Sequence, residues 1–204
     1  MWQRAQEGLK AFLWQALNFC VLGTIYYIMA PGMYHMNSSE TIEVFYNIRT
    51  DLDKLKYATY ITKIINDVTT ENQNSYKIVQ LYLNTLHIIT SGEKRLELAA
   101  STFRLRLMSI IGFKPQIVEC AHCKNKENIG FFSIEDSGLK CKLCAKLDKG
   151  AIEISDTTKD AIRYIILAEA KKLFSFNVPE DSEKELEIIS KIYLTEKLEK
   201  EYKL

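Results

Sequence analysis

Four of the chain's five cysteines fall in one short stretch, "ECAHCKNKENIGFFSIEDSGLKCKLCAK", residues 119–146, as two Cys-x-x-Cys pairs. Cys120 and Cys123 are followed by seventeen residues and then by Cys141 and Cys144. That spacing is the one used by paired zinc knuckles. Each Cys-x-x-Cys turn aims two sulfurs at one point, and a hairpin between the turns brings the pairs together as a tetrahedral thiolate cage. The intervening "GFFSIEDSGLK" supplies strand-like flanks and a turn at Asp136-Ser137-Gly138. Disulfides need an oxidising compartment, and no convincing export signal precedes these thiols. A thioredoxin-type centre uses a single Cys-x-x-Cys in a βαβ setting. We therefore read one structural zinc per chain, held by Cys120, Cys123, Cys141 and Cys144. Four protein ligands leave no open position for a catalytic water, and His122 is not needed as a ligand.

The chain has 204 residues and a net charge of +1, enough length for one large or two small domains and too little charge for a polyelectrolyte argument. Charge is unevenly spread: residues 94–150 carry eleven Lys or Arg against six Asp or Glu. A metal held by four thiolates reduces that excess of five to about three. This is a mildly basic face, compatible with nucleic acid. Residues 11–39 hold no Asp, Glu, Lys or Arg, but Gln15, Asn18, Thr24, Tyr26 and Tyr27 interrupt the run and Gly23 breaks it, so an amphipathic helix followed by buried strands is expected rather than a membrane span.

Further on, "FCVLGTIYYIM", "GMYHM" and "TIEVFY" read as three short strands, separated at Pro31-Gly32 and Asn37-Ser38-Ser39. Thr50 with Asp53 resembles a capping box opening a helix with Leu52, Leu55, Ala58, Ile61, Ile65 and Val68 inward. A second helix carries Val79, Leu83, Leu86 and Ile89 and ends near Ser91-Gly92. A third runs from about Lys94 to Ile111 with Leu96, Ala99, Phe103, Leu107 and Ile110 inward, stopped by Gly112 and Pro115. Ser155 opens a helix through Ile162, Ile165, Ile166 and Leu173. Ser182 with Glu185 is a further capping-box match before a last helix through Leu186, Ile189 and Tyr193. The expected fold class is mainly α with a small β part: incomplete strands in residues 1–47 behind an N-terminal helix, and a helical domain over 48–204 with the zinc module inserted at 119–147.

These pieces, in this order, resemble the RecO family of bacterial recombination mediators. The resemblance runs from about residue 17 through "LNFCVLGTIYYIMAPGMYHMNSSETIEVFYNIRTDLDKLKYATY", the helix "LAASTFRLRLMSIIGFKPQIVECAHC", "GFFSIEDSGLKCKLC" and "ISDTTKDAIRYI". It implies an N-terminal OB-fold, a helical domain and a zinc module. It also implies a DNA repair and homologous recombination mediator that is not an enzyme. Such a protein binds single- and double-stranded DNA, RecR and the acidic tail of single-strand DNA-binding protein, assists annealing and RecA loading, and works in the cytoplasm at the nucleoid. The chain departs from the family in two respects. It has room for only the last strands of a five-stranded barrel, as a truncated form or gene fragment would. And where the family helix before the zinc module reads Arg and then Glu around its Phe, this one has Ser101 and Arg104.

Lys124, Lys126, Lys140, Lys142 and Lys146 surround the cage and are the candidate DNA contacts; as ordinary lysines they would simply be solvated. Lys94, Arg95, Arg104 and Arg106 are the candidate contacts for an acidic tail, with a solvated face as the default for Arg104 and Arg106. Tyr26, Tyr27, Tyr34 and Phe45 divide between core and base-stacking positions; Trp2, Trp14 and Cys20 read as packing. No catalytic constellation emerges, and His35, His87 and His122 are scattered. A zinc-stapled protein-interaction module without DNA affinity is the alternative reading.

Overall fold

The computed structural model of the chain describes residues 21–30, 33–70 and 75–204, with residues 21–44 known through their backbone pairing. The expected N-terminal helix, Trp2, Trp14 and Cys20 lie outside the described residues. Strands β1 (Val21–Ala30) and β2 (Met33–Val44) pair antiparallel, Val21 opposite Val44 and Ala30 opposite Met33. Three short strands were expected; the second and third are one. Ser38 and Ser39 pair with Tyr26 and Ile25, and the register shift between Tyr26 and Tyr27 absorbs Asn37 as a bulge.

Helix α1 (Tyr46–Arg49) leads into α2 (Leu52–Val68), α3 (Tyr76–Ser91) and α4 (Leu96–Ile110). The cap of α2 is Asp51, not Thr50: its carboxylate accepts from the N–H groups of Asp53 at 3.0 Å and Lys54 at 3.1 Å, while Thr50 donates back to the Asn47 carbonyl. Leu52, expected inside, is 80% exposed, between the exposed Asp51 and Asp53. The inward face of α2 is broader than one stripe, with Tyr57, Ala58, Ile61, Ile64 and Ile65 buried. Helix α3 ends where Gly92 takes φ 72° and donates to the Ile88 carbonyl. Its buried set, Ile78, Leu81, Tyr82, Leu86 and Ile89 among others, is rotated from the expected one, leaving Val79 and Leu83 half-buried. Helix α4 ends as Gly112 turns to φ 106° and Phe113 donates to the Met108 carbonyl.

The cysteine module follows. Strands β3 (Ile129–Ser133) and β4 (Gly138–Cys141) form the expected hairpin, with Ser137 at φ 51° in its turn. Helix α5 (Lys142–Ala145) carries the second knuckle, and β5 (Ile152–Glu153) joins the other edge of β3, giving a sheet of order β4-β3-β5. Helix α6 (Asp156–Leu167) is capped by Ser155, as expected, which accepts from the Thr158 N–H. A 3₁₀ turn (Ala170–Lys172) then leads to α7 (Glu180–Leu198). Ser182 does not start α7: it is buried within the first turn, and Glu185 accepts from the backbone N–H and hydroxyl of Ser155 at 2.9 and 3.0 Å. The predicted capping box is a bond between two helices instead.

Helix α4 is the axis of the fold, packed by α2, α3, α6 and α7. Residues 98–105, Leu107 and Met108 on it are all buried. The module docks on α6 and α7: Arg163 donates to the Ile117 carbonyl at 2.8 Å, Tyr193 to the Phe113 carbonyl at 3.0 Å, and the Phe132 and Tyr193 rings meet edge to face. Among the described residues no helix is long and apolar enough to cross a membrane.

Candidate metal centre and the cations around it

Backbone hydrogen bonds shape the first knuckle before any metal is considered. Ala121 donates to the Leu139 carbonyl at 2.7 Å, which lays the turn against β4. Cys120 donates to Asn125 and Lys124 donates back to Cys120, closing the loop around Cys123. Lys124 and Asn128 sit at φ 65° and 53°, left-handed positions that tighten the exit. In the second knuckle Cys141 ends β4 and begins α5, which places Cys144 one turn later on the same side.

The four sulfurs lie within 4.8 Å of one another, with Cys123 and Cys141 3.7 Å apart. Sulfurs about 2.3 Å from one central ion stand about 3.8 Å apart at tetrahedral angles. A disulfide would need about 2.05 Å, and all four thiols are free. Cys120, Cys141 and Cys144 are buried and Cys123 is exposed. Burial pushes the Cys120 thiol up, but N–H groups of Cys123, Cys141 and His122 outweigh it and bring it down to about 6. Burial and the three neighbouring sulfurs push Cys144 up to about 12. The divergence has a simple cause: so many thiolates in one pocket repel unless a cation joins them. Donor type, number and spacing thus fit a metal ion. His122 stands outside this set, 62% exposed and facing Asp136.

The candidate DNA lysines separate. Lys124, Lys126, Lys142 and Lys146 are exposed. Lys140 is not available to a phosphate: it is 5% exposed, with Nζ 2.5 Å from Asp136 and 2.7 Å from Asp148. Burial disfavours its charge, and the two carboxylates more than restore it.

The candidate tail-binding cations are also differently placed than a single basic rim requires. Lys94 donates to the Phe176 carbonyl and the Asn177 side chain, both at 2.7 Å. Arg95 pairs with Glu183 at 2.5 Å. Arg104 is no solvated face: it is 1% exposed, and donates to Ser190 at 2.9 Å, Ser101 at 3.0 Å and Tyr60 at 3.3 Å. The two positions that break the family resemblance, Ser101 and Arg104, are therefore partners of each other. Arg106 turns the other way and donates to the carbonyls of Ile165, Ile166 and Ala168 at the end of α6. Desolvation lowers its pKa from the usual arginine value.

Arg106 also lines a cleft of about 320 Å³ between α3, α4, α6 and the 3₁₀ turn, with Lys77, Leu81, Ile110, Ile166 and Leu173. Sequence reasoning missed Lys77 and Leu173 as members of this site. Lys77 is on α3, whereas Leu173, expected on the helix opened by Ser155, follows the 3₁₀ turn because α6 already ends at Leu167; about a hundred residues separate them and no local pattern joins them.

Comparison with known proteins places the chain in a family. The family model described as "Recombination protein O C terminal" matches residues 49–204. "DNA repair protein RecO" of Acetivibrio thermocellus is 37% identical over 171 residues, 83% of this chain and 68% of that protein. The proteins of the same description from Alkaliphilus metalliredigens and a Thermoanaerobacter species are 31% and 30% identical, over 72% and 87% of this chain and 60% and 72% of their own lengths.

Proposed function

Since the chain belongs to the RecO family of DNA repair proteins, we propose that it works as a non-enzymatic mediator of repair and homologous recombination. In this reading it binds single- and double-stranded DNA, RecR and the tail of single-strand DNA-binding protein, and so assists strand annealing and loading of a RecA-type recombinase in the cytoplasm, at the nucleoid. Its metal is one structural zinc at Cys120, Cys123, Cys141 and Cys144. The ribbon of β1 and β2 belongs to an OB-like part within residues 1–47, and residues 48–204 form the helical domain. Lys124, Lys126, Lys142 and Lys146 supply phosphate contacts.

The observation that carries the reading is the cleft beside α4. An acidic tail with an apolar end needs cations for its carboxylates and an apolar slot for its last side chains. Lys77 and Arg106 stand beside Leu81, Ile110, Ile166 and Leu173 in one cleft. Arg106 spends donors on three carbonyls of α6, so its removal would disturb the fold as well. Lys77 is exposed on α3 and is the cleaner probe. Calorimetry with a short synthetic peptide, acidic and ending in an apolar residue, tests the proposal. Lys77→Ala is expected to weaken binding by about 1.5–3 kcal/mol, the range of a hydrogen bond to a charged group. A parent that does not bind the peptide, or a Lys77→Ala variant that binds as the parent does, would overturn the assignment.

A further inference from the structure

The second knuckle presents to solvent a surface that metal binding does not require. Cys144 and Ala145 point inward, while Lys142, Leu143, Lys146 and Leu147 all face outward. Leu143 is 73% exposed and Leu147 84%, two of the most exposed large apolar side chains among the described residues. The turn persists past α5, because Leu147 donates to the Cys144 carbonyl at 3.2 Å and Asp148 to that of Ala145 at 3.1 Å. Two apolar side chains and two cations therefore repeat once per turn, roughly 6–8 Å apart along the axis.

Charge decides what such a surface can meet. Between Lys142 and Gly150 the one carboxylate is Asp148. Its side chain is 6% exposed, taken inward by Lys140, Ser133 and the Gly150 N–H. Lys142, Lys146 and Lys149 are exposed and lack a carboxylate on this stretch to answer them. The fitting partner is anionic, and it must also offer flat apolar faces to the leucines. A nucleic acid strand has both. A duplex closes its base faces by stacking at 3.4 Å per base along each strand, a spacing too short to admit a side chain without unstacking. A single strand leaves base faces open, and one repeat of about 6–8 Å accommodates a nucleotide splayed from its neighbour.

We propose that the outward face of the second knuckle is a platform for single-stranded DNA, with Leu143 and Leu147 packing on base faces while Lys142, Lys146 and Lys149 meet the phosphates. The proposal rests on the reading that this chain binds DNA, and it adds which surface distinguishes single strand from duplex. A metal bound by Cys141 and Cys144 would hold the backbone on either side of Leu143.

Fluorescence anisotropy of the metal-loaded full chain, with a labelled oligodeoxythymidylate and a duplex of equal length, tests it at several salt concentrations. Leu143→Ala with Leu147→Ala is expected to weaken single-strand binding about tenfold, as the loss of two partly buried apolar contacts would. Duplex affinity and the salt slope stay as in the parent, since no phosphate contact is touched. Lys142→Ala with Lys146→Ala is expected to lower the single-strand salt slope by about 1.4, at about 0.7 per phosphate contact. Leu143→Tyr with Leu147→Tyr, which places stacking rings at the same outward positions, tightens single-strand binding. Retained metal and an unchanged Tm show that each variant is folded, as expected for side chains this exposed. If the leucine double variant binds single strands as the parent does, or loses both substrates equally, the platform is overturned while DNA binding stands. The surface would then serve another partner, such as a protein. If the folded parent binds neither oligonucleotide, the DNA-binding reading fails and the platform with it.

Discussion

Lys140 shows how a residue that looks like a surface cation becomes structural. Five lysines surround the cage in sequence, and nothing local separates Lys140 from the others. Both faces of β4 are covered, so Lys140 is buried like its neighbour Leu139, and Asp136 and Asp148 neutralise it there. Asp148 is the keystone of this cluster: Lys140 first, then Ser133, hold its carboxyl down at about 2, below the ordinary aspartate value. A carboxyl whose folded pKa is depressed contributes stability above its unfolded pKa and loses that contribution as pH falls towards the folded one. Asp148→Asn is therefore expected to cost about 2 kcal/mol at neutral pH, at 1.36 kcal/mol per pKa unit. The difference between parent and variant should shrink as pH falls from about 4 to about 2. Urea titrations of both proteins across that range measure it. The difference isolates the carboxylate, because acid release of metal is common to both. A gap that does not narrow would show that Asp148 acts through packing alone.

At the scale of elements, the hairpin does more than close the cage. The segment entering the first knuckle lies directly on β4: Gln116 donates to the Ser137 carbonyl and accepts from the Leu139 N–H, both at 2.8 Å. This contact requires a glycine opposite Gln116. A Cβ on Gly138 would stand 2.6 Å from the Gln116 oxygen and 2.9 Å from its nitrogen, backbone atoms that cannot swing away. Gly130, in the neighbouring strand, has nothing within 4 Å of such a Cβ. Gly138→Ala is expected to destabilise by about 1–3 kcal/mol, as overpacking does, and to loosen the first knuckle. Gly130→Ala should fall within about 0.5 kcal/mol of the parent. Thermal unfolding of the pair, with metal content measured alongside, tests this; equal Tm values would show that the Gln116 segment yields freely.

Among the described residues the cysteine module closes a ring. Helix α4 runs into the first knuckle, the second knuckle leads to α6, and α6 and α7 pack back on α4. Cross-bonds from Arg163, Tyr193 and Glu185 complete the circuit. A metal that ties the two knuckles thus stabilises contacts well beyond its own shell. Structural zinc binding is worth on the order of 10 kcal/mol in small domains. Cys141→Ser is expected to drop metal content from about one per chain towards zero and to lower the Tm of the helical body, while His122→Ala keeps both. Elemental analysis of protein purified under reducing conditions, with a thermal scan, decides it. A parent with no metal and four freely titratable thiols would remove the assignment.

The sequence by itself determined the cysteine cluster, its hairpin, the Gly92 and Gly112 helix ends and the Ser155 cap. Each is set by residues within about twenty positions, through turn chemistry, capping or ligand spacing. It also determined the order of pieces that marks the family. Which face of each helix is buried was less legible: α3 and α4 touch neighbours on several sides, so a single apolar stripe understates their burial. The roles of Lys77, Arg104, Arg106 and Glu185 were decided by tertiary structure. Arg104 reads as a solvated cation until α7 brings Ser190 and α2 brings Tyr60 to it. Glu185 reads as the cap of its own helix until Ser155 proves nearer. Lys77 and Arg106 share a cleft only because α3 and α4 pack side by side. A charge is defined by what surrounds it, and those surroundings come from chain segments that sequence distance keeps apart.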